Sequence, residues 1–335
     1  MTMKENKLSI FSKTLFGQSW FPAFVLMVVF FIWNSFMVNG FFGRGALHGF
    51  VNLYVPLTCL AIGLSVVVIG GGLDISVGAL VCLVNVSFVT LIGKGFSLFE
   101  AIICVMVVAL VFGMLNGFVV TFFRINPLLV TFATTSMASG LALWIMPRAD
   151  GYGNSDYIDW YSSGTVLGIP SSLYFVIIPI VVWFIMKNTP LGIWLYAVGK
   201  DERKAYFSSI RSSMVKFFSY VFCSSMAGLG AIALSGNIGG GDPLVGMSMT
   251  MNAVAAVVIG GVSLAGGEGD VLGSVFSVMF LGMVIYTVLG ANIPIIYQDL
   301  VTSLIILVGV IGMSIFKMYR TAHKNKRRAM GGERA

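Results

Sequence analysis

A glycine-rich segment with one aspartate is the part of this sequence best suited to bind a ligand or ion within apolar surroundings. Residues 70–78 read GGGLDISVG and join two stretches, 49–73 and 75–93, that have no Asp, Glu, Lys or Arg. A carboxylate at the centre of a bilayer costs at least about 2.5–3.5 kcal/mol. We therefore expect Asp74 to lie near the inner membrane surface or to be hydrogen-bonded. It either caps the next helix, accepting from the amides of Ser76 and Val77, or contacts a substrate or ion.

A second glycine-rich segment repeats part of the first. Residues 257–261 (VVIGG) match residues 67–71, and another glycine turn follows at 266–269. Paired helix breaks of this kind occur in membrane proteins built from two related halves, although the rest of the sequence does not keep the spacing. We interpret both segments as gates or helix breaks, with the residues Gly70, Gly71, Gly72, Asp74, Ser76, Gly78, Gly260, Gly261, Gly266 and Gly267.

Catalytic and metal-binding constellations are missing from the sequence. The only histidines, His48 and His323, are far apart, and the four cysteines do not have the spacing of metal ligands or redox pairs. The sequence contains neither a G-x-x-x-x-G-K-[ST] phosphate loop nor paired carboxylates for a proton relay. We predict no catalytic residues, no metal site and no cofactor in this chain, which argues against an intramembrane enzyme. Energy for any uphill process must then come from a partner.

The elements that position these residues are membrane helices. Hydrophobic residues make up 58% of the 335-residue chain and charged residues 10%, with a mean hydropathy of +0.96. Ten uncharged stretches approach the roughly 20 residues that a transmembrane helix needs. We predict an all-α, polytopic membrane protein with about ten transmembrane helices. Residues 188–199 also lack charge, but this short segment contains Pro190 and Gly192 and is predicted to be a loop. The ten stretches are 14–43, 49–73, 75–93, 101–123, 125–147, 160–186, 217–241, 243–267, 271–298 and 300–316.

The distribution of basic residues predicts the orientation. With both ends inside, 17 of the 20 Lys and Arg residues fall on the inner side, which the positive-inside rule favours strongly. The net charge of +7 is therefore a topology signal and does not indicate nucleic-acid binding. We predict one domain, with a cytoplasmic N-terminus at 1–19, a ten-helix bundle at 20–316 and a basic cytoplasmic tail at 317–335.

Two loops stand out between the predicted helices. In the inner loop 187–216, residues 201–209 could form two helical turns, with an apolar face of Ala205, Tyr206, Ser209 and Ile210. So short a helix is not stable alone in water and must pack against this protein or another one. The outer loop 147–171 is rich in Asp, Tyr and Trp, and is either an interfacial aromatic belt or a docking surface.

Three segments carry a resemblance to a known family. Residues 71–78 read GGLDISVG, residues 189–199 contain TPLG followed by YAVG, and residues 255–267 read AAVVIGGVSLAGG. Together they resemble the permease subunits of bacterial ABC importers of the ribose, xylose and galactofuranose type. The first and third segments are similar to that family's GGIDLSVG and AAVVIGGTSLxGG, and the second resembles the segment that leads to its ATPase-coupling helix. The order and spacing agree over nearly the whole chain.

The resemblance implies a bacterial inner-membrane assembly. Two permease chains form the pore, two cytoplasmic ATP-binding subunits carry ATP and Mg, and an external solute-binding protein delivers a sugar. The coupling helix maps to Asp201, Glu202, Lys204, Ala205, Tyr206, Ser209 and Ile210. The family tends to have two acids where Thr250 and Asn252 stand here, so the second permease is either an identical chain or a paralogue.

Polar and aromatic residues within the spans are candidates for the substrate path. Amides could bind a sugar, although they could equally join helices to one another. Aromatic rings could stack on a sugar ring. The candidates are Asn85, Phe88, Asn116, Asn126, Phe132, Trp144, Asn252 and Gln298. The alternative function is a secondary transporter or channel that works without an ATPase, which the glycine-broken helices would also suit.

Overall fold

The computed structural model describes residues 18–38 and 40–291, and beyond them 294, 296, 297, 300, 301, 303–305, 307–309, 311 and 312. Within this part of the chain, helices form almost all of the regular structure. The predicted all-α class is therefore confirmed. Gln298, the tail 317–335 and most of the segment 1–19 lie outside the described residues, and the predicted domain boundaries stay predictions.

Helices follow one another with short connections. Helices α1 to α5 comprise Phe21–Met37, Arg44–Ile69, Val77–Gly93, Leu98–Phe122 and Pro127–Ile145. Helix α6 is Ser155–Ser163, and a hairpin of β1 (Thr165–Val166) and β2 (Ile169–Pro170) and a 3-10 turn at Ser171–Leu173 follow it. Helices α7 to α12 comprise Tyr174–Lys187, Pro190–Lys200, Glu202–Phe207, Ser212–Ile238, Met247–Ile259 and Val271–Gly290. The described residues from 296 to 312 are helical as well.

The helices differ in whether they are long and apolar enough to cross a membrane. In the described residues, five are long and apolar enough to cross a bilayer (α2, α4, α5, α10 and α12), or six if the bent pair of α7 and α8 is one span. Helices α1, α3 and α11 are apolar but shorter. The 13 residues of α11 rise only about 20 Å, so this helix covers part of the hydrocarbon thickness. Each of the ten predicted stretches contains helical residues, while the number of crossings and the side of the two ends stay predictions.

The prediction of a loop at 188–199 is wrong. Pro190–Lys200 is a helix, and its axis is bent by 80° from that of the preceding helix α7. Proline is well suited to the first turn of a helix, where its missing N–H has no partner to lose. Gly192 permits the sharp bend, since a β-carbon there would lie 2.6 Å from Lys187 Cα. Pro190 and Gly192 do mark a break in the chain direction, but the break separates two helices and does not form a loop.

The core forms around α10, which packs against α2, α3 and α4. Small residues let these helices approach closely, as is usual in membranes. A β-carbon on Gly63 of α2 would lie 2.8 Å from Met226 Cβ on α10. One on Gly113 of α4 would lie 2.8 Å from Ser224 Cβ. Helix α2 is buried almost throughout, so the surrounding helices shield its glycine-rich C-terminal end.

The repeated VVIGG sequence forms the same helix end twice. In α2, the N–H of Gly71 donates to the carbonyl of Val68, and that of Gly72 donates to Val67. Gly71 has a φ of +79°, and Gly261 after α11 has a φ of +82° with the equivalent pair of hydrogen bonds. Both are Schellman caps, in which a left-handed glycine satisfies the last carbonyls of the helix. The repeat is thus a shared way of ending a helix.

The aromatic loop predicted at 147–171 is partly buried. Tyr157 and Tyr161 of α6 are buried, and their hydroxyls donate to the carbonyls of Ile232 and Asn52, at 2.8 Å each. These two tyrosines therefore fasten α6 across the ends of α10 and α2. Tyr152, at 88% exposure, is free to meet a partner.

Candidate functional site

Backbones from three separate segments meet next to the short helix α9. We call the contact of Gly71, Gly199, Gly266 and Gly267 the glycine junction. The N–H of Gly267 donates to the carbonyl of Ile69 at 2.8 Å. A β-carbon on Gly266 would lie 2.6 Å from the Gly199 oxygen and 2.9 Å from Gly71 Cα, so no larger residue fits. The junction joins the end of α2, the end of α8 and the α11–α12 loop without intervening side chains.

The structure brings together only some of the predicted glycines. Gly71, Gly266 and Gly267 lie in the junction, whereas Gly260 approaches the backbone of α12 and Gly261 that of Ser19. Gly78 faces α11, where its N–H donates to Thr250 Oγ1 at 3.1 Å. Gly70 abuts Leu195, and Gly72 abuts the Tyr220 hydroxyl. Gly199 was not singled out as a break, although it ends the YAVG segment of the resemblance.

Asp74 lies in a fully buried polar cluster. Its Oδ1 accepts from the Ser76 amide at 2.9 Å and from the Ser76 hydroxyl at 2.5 Å. Asn116 Nδ2 then donates to Ser76 Oγ at 2.9 Å. The expected bond from the Ser76 amide is confirmed, while the second donor is the Ser76 hydroxyl and not the Val77 amide. This network links the start of α3 to α4 next to the end of α2, while Asp74 Oδ2 is buried without a hydrogen-bond partner among the described residues.

Three predicted path residues are interior. Asn85 Nδ2 donates to Ser235 Oγ at 2.8 Å, and its Oδ1 accepts from the Asp242 amide at 2.9 Å. Phe88 is fully buried against Tyr157, and Asn116 belongs to the Asp74 cluster. The amide atoms of Asn85 and the Nδ2 of Asn116 serve helix contacts, so these two residues fit the helix-joining alternative of the sequence analysis. Asn116 Oδ1 is buried without a hydrogen-bond partner among the described residues.

Two other path candidates are more accessible than these three. Phe132 of α5 is 63% exposed, and Asn252 of α11 is half-buried. Ser139 Oγ lies 3.6 Å from Met247 Sδ, so α5 and α11 adjoin here. We define the α5–α11 face by Phe132, Ser136, Ser139, Met247, Met251 and Asn252. Ser136 Oγ donates to the carbonyl of Phe132 within its own helix, whereas Asn252 presents a half-buried amide from an apolar helix. An amide of this kind is unfavourable against lipid, which favours a water-filled cavity or another chain beside Asn252.

The remaining path candidates lie at helix ends. Asn126 accepts from the Leu128 amide at 2.9 Å and caps α5. Trp144 is 81% exposed near the C-terminal end of the same helix. Neither is placed beside the α5–α11 face by a contact.

The inner-loop helix differs from its prediction in length and facing. It spans Glu202–Phe207, and Ser209 ends it with a φ of +62°. Ala205 is buried and Ile210 half-buried against the core. Tyr206 and Phe207 instead point outward, at 71% and 84% exposure. The predicted apolar face is thus divided, and Phe207 is an exposed ring that helical spacing alone did not indicate.

Charged groups hold this helix in place. Asp201 caps it by accepting from the Lys204 amide at 3.1 Å, and this bond lowers the pKa of the Asp201 carboxyl. Glu202 pairs with Lys216 of α10 at 2.6 Å. The helix is thereby oriented against α10 while its aromatic rings stay outside.

An ion pair fixes the elbow between α7 and α8. Lys187 pairs with Asp270, which also accepts from Trp183 Nε1 at 3.2 Å. The Tyr196 hydroxyl donates to the Gly269 carbonyl at 2.8 Å. These contacts fasten α7 and α8 to the α11–α12 loop directly beside the glycine junction.

Replacing Asp270 with Asn should lower the thermal stability of the purified chain. The change removes the charge that Lys187 faces, but Lys187 reaches water and the amide can still accept from Trp183, so we expect a loss of about 1 kcal/mol. A detergent thermal-shift assay measures it. Asp159→Asn, on the exposed side of α6, is the matched control. Equal melting temperatures for the two variants would contradict the assigned role of the pair.

Comparison with known proteins places the whole arrangement in one family. The family described as branched-chain amino acid transport system / permease component matches residues 46–310. The ribose import permease protein RbsC of Haemophilus influenzae is 28% identical over 257 residues, 75% of this chain and 80% of that protein. The probable ABC transporter permease protein y4mJ of Sinorhizobium fredii is 32% identical over 258 residues, 76% of this chain and 77% of that protein.

A third relative is named for the transport of a different sugar. The galactofuranose transporter permease protein YtfT of Escherichia coli is 28% identical over 233 residues, 69% of this chain and 68% of that protein. No solved structure matches the chain. The resemblance seen in the sequence motifs is confirmed, and the apolar helices agree with a multi-pass membrane protein. The chain therefore belongs to the branched-chain amino acid transport system / permease component family, as a permease subunit of an ABC importer.

Proposed function

We propose that this chain is the pore-forming subunit of an ATP-driven, binding-protein-dependent sugar importer of the bacterial cytoplasmic membrane. It would work by alternating access, with ATP and Mg held by two separate subunits below it. The observation that supports this most directly is the glycine junction. Its member Gly199 is the residue before Lys200, where α8 ends and α9 follows. It connects the proposed coupling helix to both glycine-rich helix breaks.

The exposed rings of α9 are the proposed contact with the ATPase. Tyr206 and Phe207 extend from the protein surface, and paired aromatic residues are typical anchors of protein interfaces. Closure of the ATPase subunits would push α9, and Ala205 and Ile210 would carry that push into the core. An ATP-driven shift requires contacts that differ between the two states.

The glycine junction transmits the movement in this proposal. Because Gly199 touches Ile69, Gly71 and Gly267 through backbone atoms, a displacement of α9 cannot be absorbed by a change of rotamer. It moves the end of α2 and the α11–α12 loop together. Packed elements of this kind switch between discrete arrangements and do not deform continuously.

The α5–α11 face is the proposed wall of the sugar path. Serine hydroxyls and the Asn252 amide can bind sugar hydroxyls, and Phe132 offers a ring to the apolar side of a sugar. A second permease chain, identical or paralogous, would face this wall. Relatives named for ribose and galactofuranose import support a monosaccharide as the substrate class.

An outer cleft is the proposed contact of the solute-binding protein. It measures about 580 Å³ and includes Arg148, Asp150 and Tyr152 among its lining residues. Charged groups and an exposed tyrosine ring are suited to a reversible protein contact.

Replacing Phe132 with Ala should lower sugar uptake about fivefold at limiting sugar, because stacking on an aromatic ring contributes about 1 kcal/mol. Uptake into proteoliposomes that contain the complete importer measures the effect. Phe99→Ala is the control, since Phe99 is 72% exposed on α4 away from this face. If both variants transport like the wild type, the α5–α11 face is not the path.

Reconstitution tests the proposed function as a whole. The chain is placed in liposomes alone, and together with its ATPase and binding-protein partners. We expect uptake only in the complete system with ATP inside. Transport by the chain alone down a solute or ion gradient would favour the secondary transporter or channel and refute the ATP-driven importer.

A further inference from the structure

A basic cleft lies beside α9, at the ends of two membrane helices. It measures about 680 Å³ and lies between the α4–α5 loop, α9 and the start of α10. Arg124, Arg203 and Lys216 line it, with Glu202 as the single acid among its lining residues. The α4–α5 loop contains only the residues 123–126 between two helices that can each cross a bilayer. This places the cleft at the depth of a membrane surface.

The positive charge of the cleft is not neutralised within the protein. Glu202 already pairs with Lys216 at 2.6 Å. The side chains of Arg124 and Arg203 have no ion pair or hydrogen bond to any described residue. Two guanidinium groups therefore face the cleft with all of their donors free, and guanidinium is the side chain that best matches a phosphate.

The backbone adds to this anion preference. Asn126 and Pro127, at the start of α5, also line the cleft. The N-terminal end of that helix presents the positive end of its dipole there.

Apolar residues adjoin the basic cleft on the outside of the protein. Phe123 is 65% exposed at the end of α4, and Leu129 is 67% exposed in the first turn of α5. Both helices are apolar along their lengths. The ligand that fits this surface therefore has an anionic head and a hydrocarbon body.

We propose that the cleft binds the headgroup of an anionic phospholipid. The phosphate lies between Arg124 and Arg203, and an acyl chain lies along Phe123 and Leu129. Basic pockets between membrane helices are suited to anionic headgroups. Tyr206 and Phe207 of α9 also line the cleft, so the lipid would adjoin the proposed ATPase contact. The exposed Phe123 and Leu129 favour a lipid over an acidic protein surface as the occupant between Arg124 and Arg203. Gly71 also lines the cleft, so the lipid links the α4–α5 loop and α9 at the glycine junction.

Lipid retention by the full-length permease tests this inference without sugar or ATPase. The chain is purified in neutral detergent, exposed to equal amounts of phosphatidylglycerol and phosphatidylcholine, and analysed by native mass spectrometry. We expect preferential retention of phosphatidylglycerol and a higher melting temperature with it. The double variant Arg124→Gln with Arg203→Gln should retain at least tenfold less phosphatidylglycerol than the wild type.

A matched control removes two cations elsewhere. Lys94→Gln with Arg148→Gln changes the net charge equally at the other ends of the spans, and its retention should stay within threefold of the wild type. An equal loss in both double variants, or no preference in the wild type, would overturn the proposal. If the Arg124 and Arg203 double variant does not fold, Arg124→Lys replaces it, and unchanged retention by that single variant at high salt would count against a guanidinium site.

Two further experiments test whether a free anion or a protein, and not a lipid, occupies the cleft. Inorganic phosphate that raises the melting temperature as much as phosphatidylglycerol would assign the cleft to a free anion and refute the lipid. The purified ATPase partner is also added to permease in phosphatidylcholine nanodiscs. If the double arginine variant loses that partner but keeps its phosphatidylglycerol, the cleft is a protein interface and the proposal is wrong.

Discussion

Replacing Gly199 with Ala should reduce ATP-driven uptake at least tenfold while the importer still assembles and hydrolyses ATP. A β-carbon at this position would overlap the Ile69 carbonyl oxygen and lie 2.7 Å from the Gly267 nitrogen. Both neighbours are backbone atoms and cannot turn aside, so α8 must move away from the α11–α12 loop. Overpacking of this kind typically costs 1–3 kcal/mol. The push from α9 would then no longer reach the two glycine-rich helix breaks.

The measurement compares sugar uptake and ATP hydrolysis in proteoliposomes that contain the complete importer. Gly45→Ala is the control, because a β-carbon at Gly45 in the first turn of α2 meets nothing within 4 Å. Size-exclusion profiles of both variants show whether the complex assembles. Uptake by Gly199→Ala at the rate of the control, with the complex intact, would remove the glycine junction from the coupling mechanism.

Replacing Tyr206 and Phe207 together with Ser should weaken binding of the ATPase subunit by about a thousandfold. Truncation of an aromatic anchor often costs about 2 kcal/mol, and two of them correspond to about 4 kcal/mol if their effects add. The permease itself should keep its melting temperature, because both rings are exposed. A pull-down or biolayer measurement with the purified ATPase subunit gives the change in affinity.

A matched pair of exposed residues in the loop 147–171 serves as the control. Tyr152 and Leu167 are 88% and 93% exposed, and Ser at both positions should leave ATPase binding unchanged. An equal loss in both double variants would indicate a general effect on the permease. No loss in either would show that α9 does not bind the ATPase through its rings. Ala205 is less suitable for such a test, since it is buried and a larger residue there would disturb the core.

The coupling segment shows how far local sequence rules reach. The rules placed a short helix after Asp201 correctly, because an N-terminal acid and a cap are local features. They extended it through Ser209, whereas the left-handed Ser209 ends it. Which side faces outward depends on α10, to which Lys216 holds Glu202. That contact joins residues 14 positions apart, beyond the range of helical periodicity.

The path candidates show the same division. Asn85, Asn116 and Asn252 are all amides in uncharged stretches and cannot be told apart by residue type. Asn85 is bonded to Ser235, which lies 150 positions away, whereas Asn252 remains half-exposed. A buried amide and a path-lining amide differ only in their neighbours, and these neighbours come from distant parts of the chain.

Sequence alone determined that this is an all-helical membrane protein of the importer permease family, because hydropathy and short motifs are properties of neighbouring residues. It also located both Schellman caps as glycine breaks. Only the tertiary structure decided that Gly71, Gly199 and Gly266 share one contact, and that the candidate asparagines divide between core and surface. The physical reason is that close packing selects its partners by shape across the whole fold, and this information is not contained in any single segment.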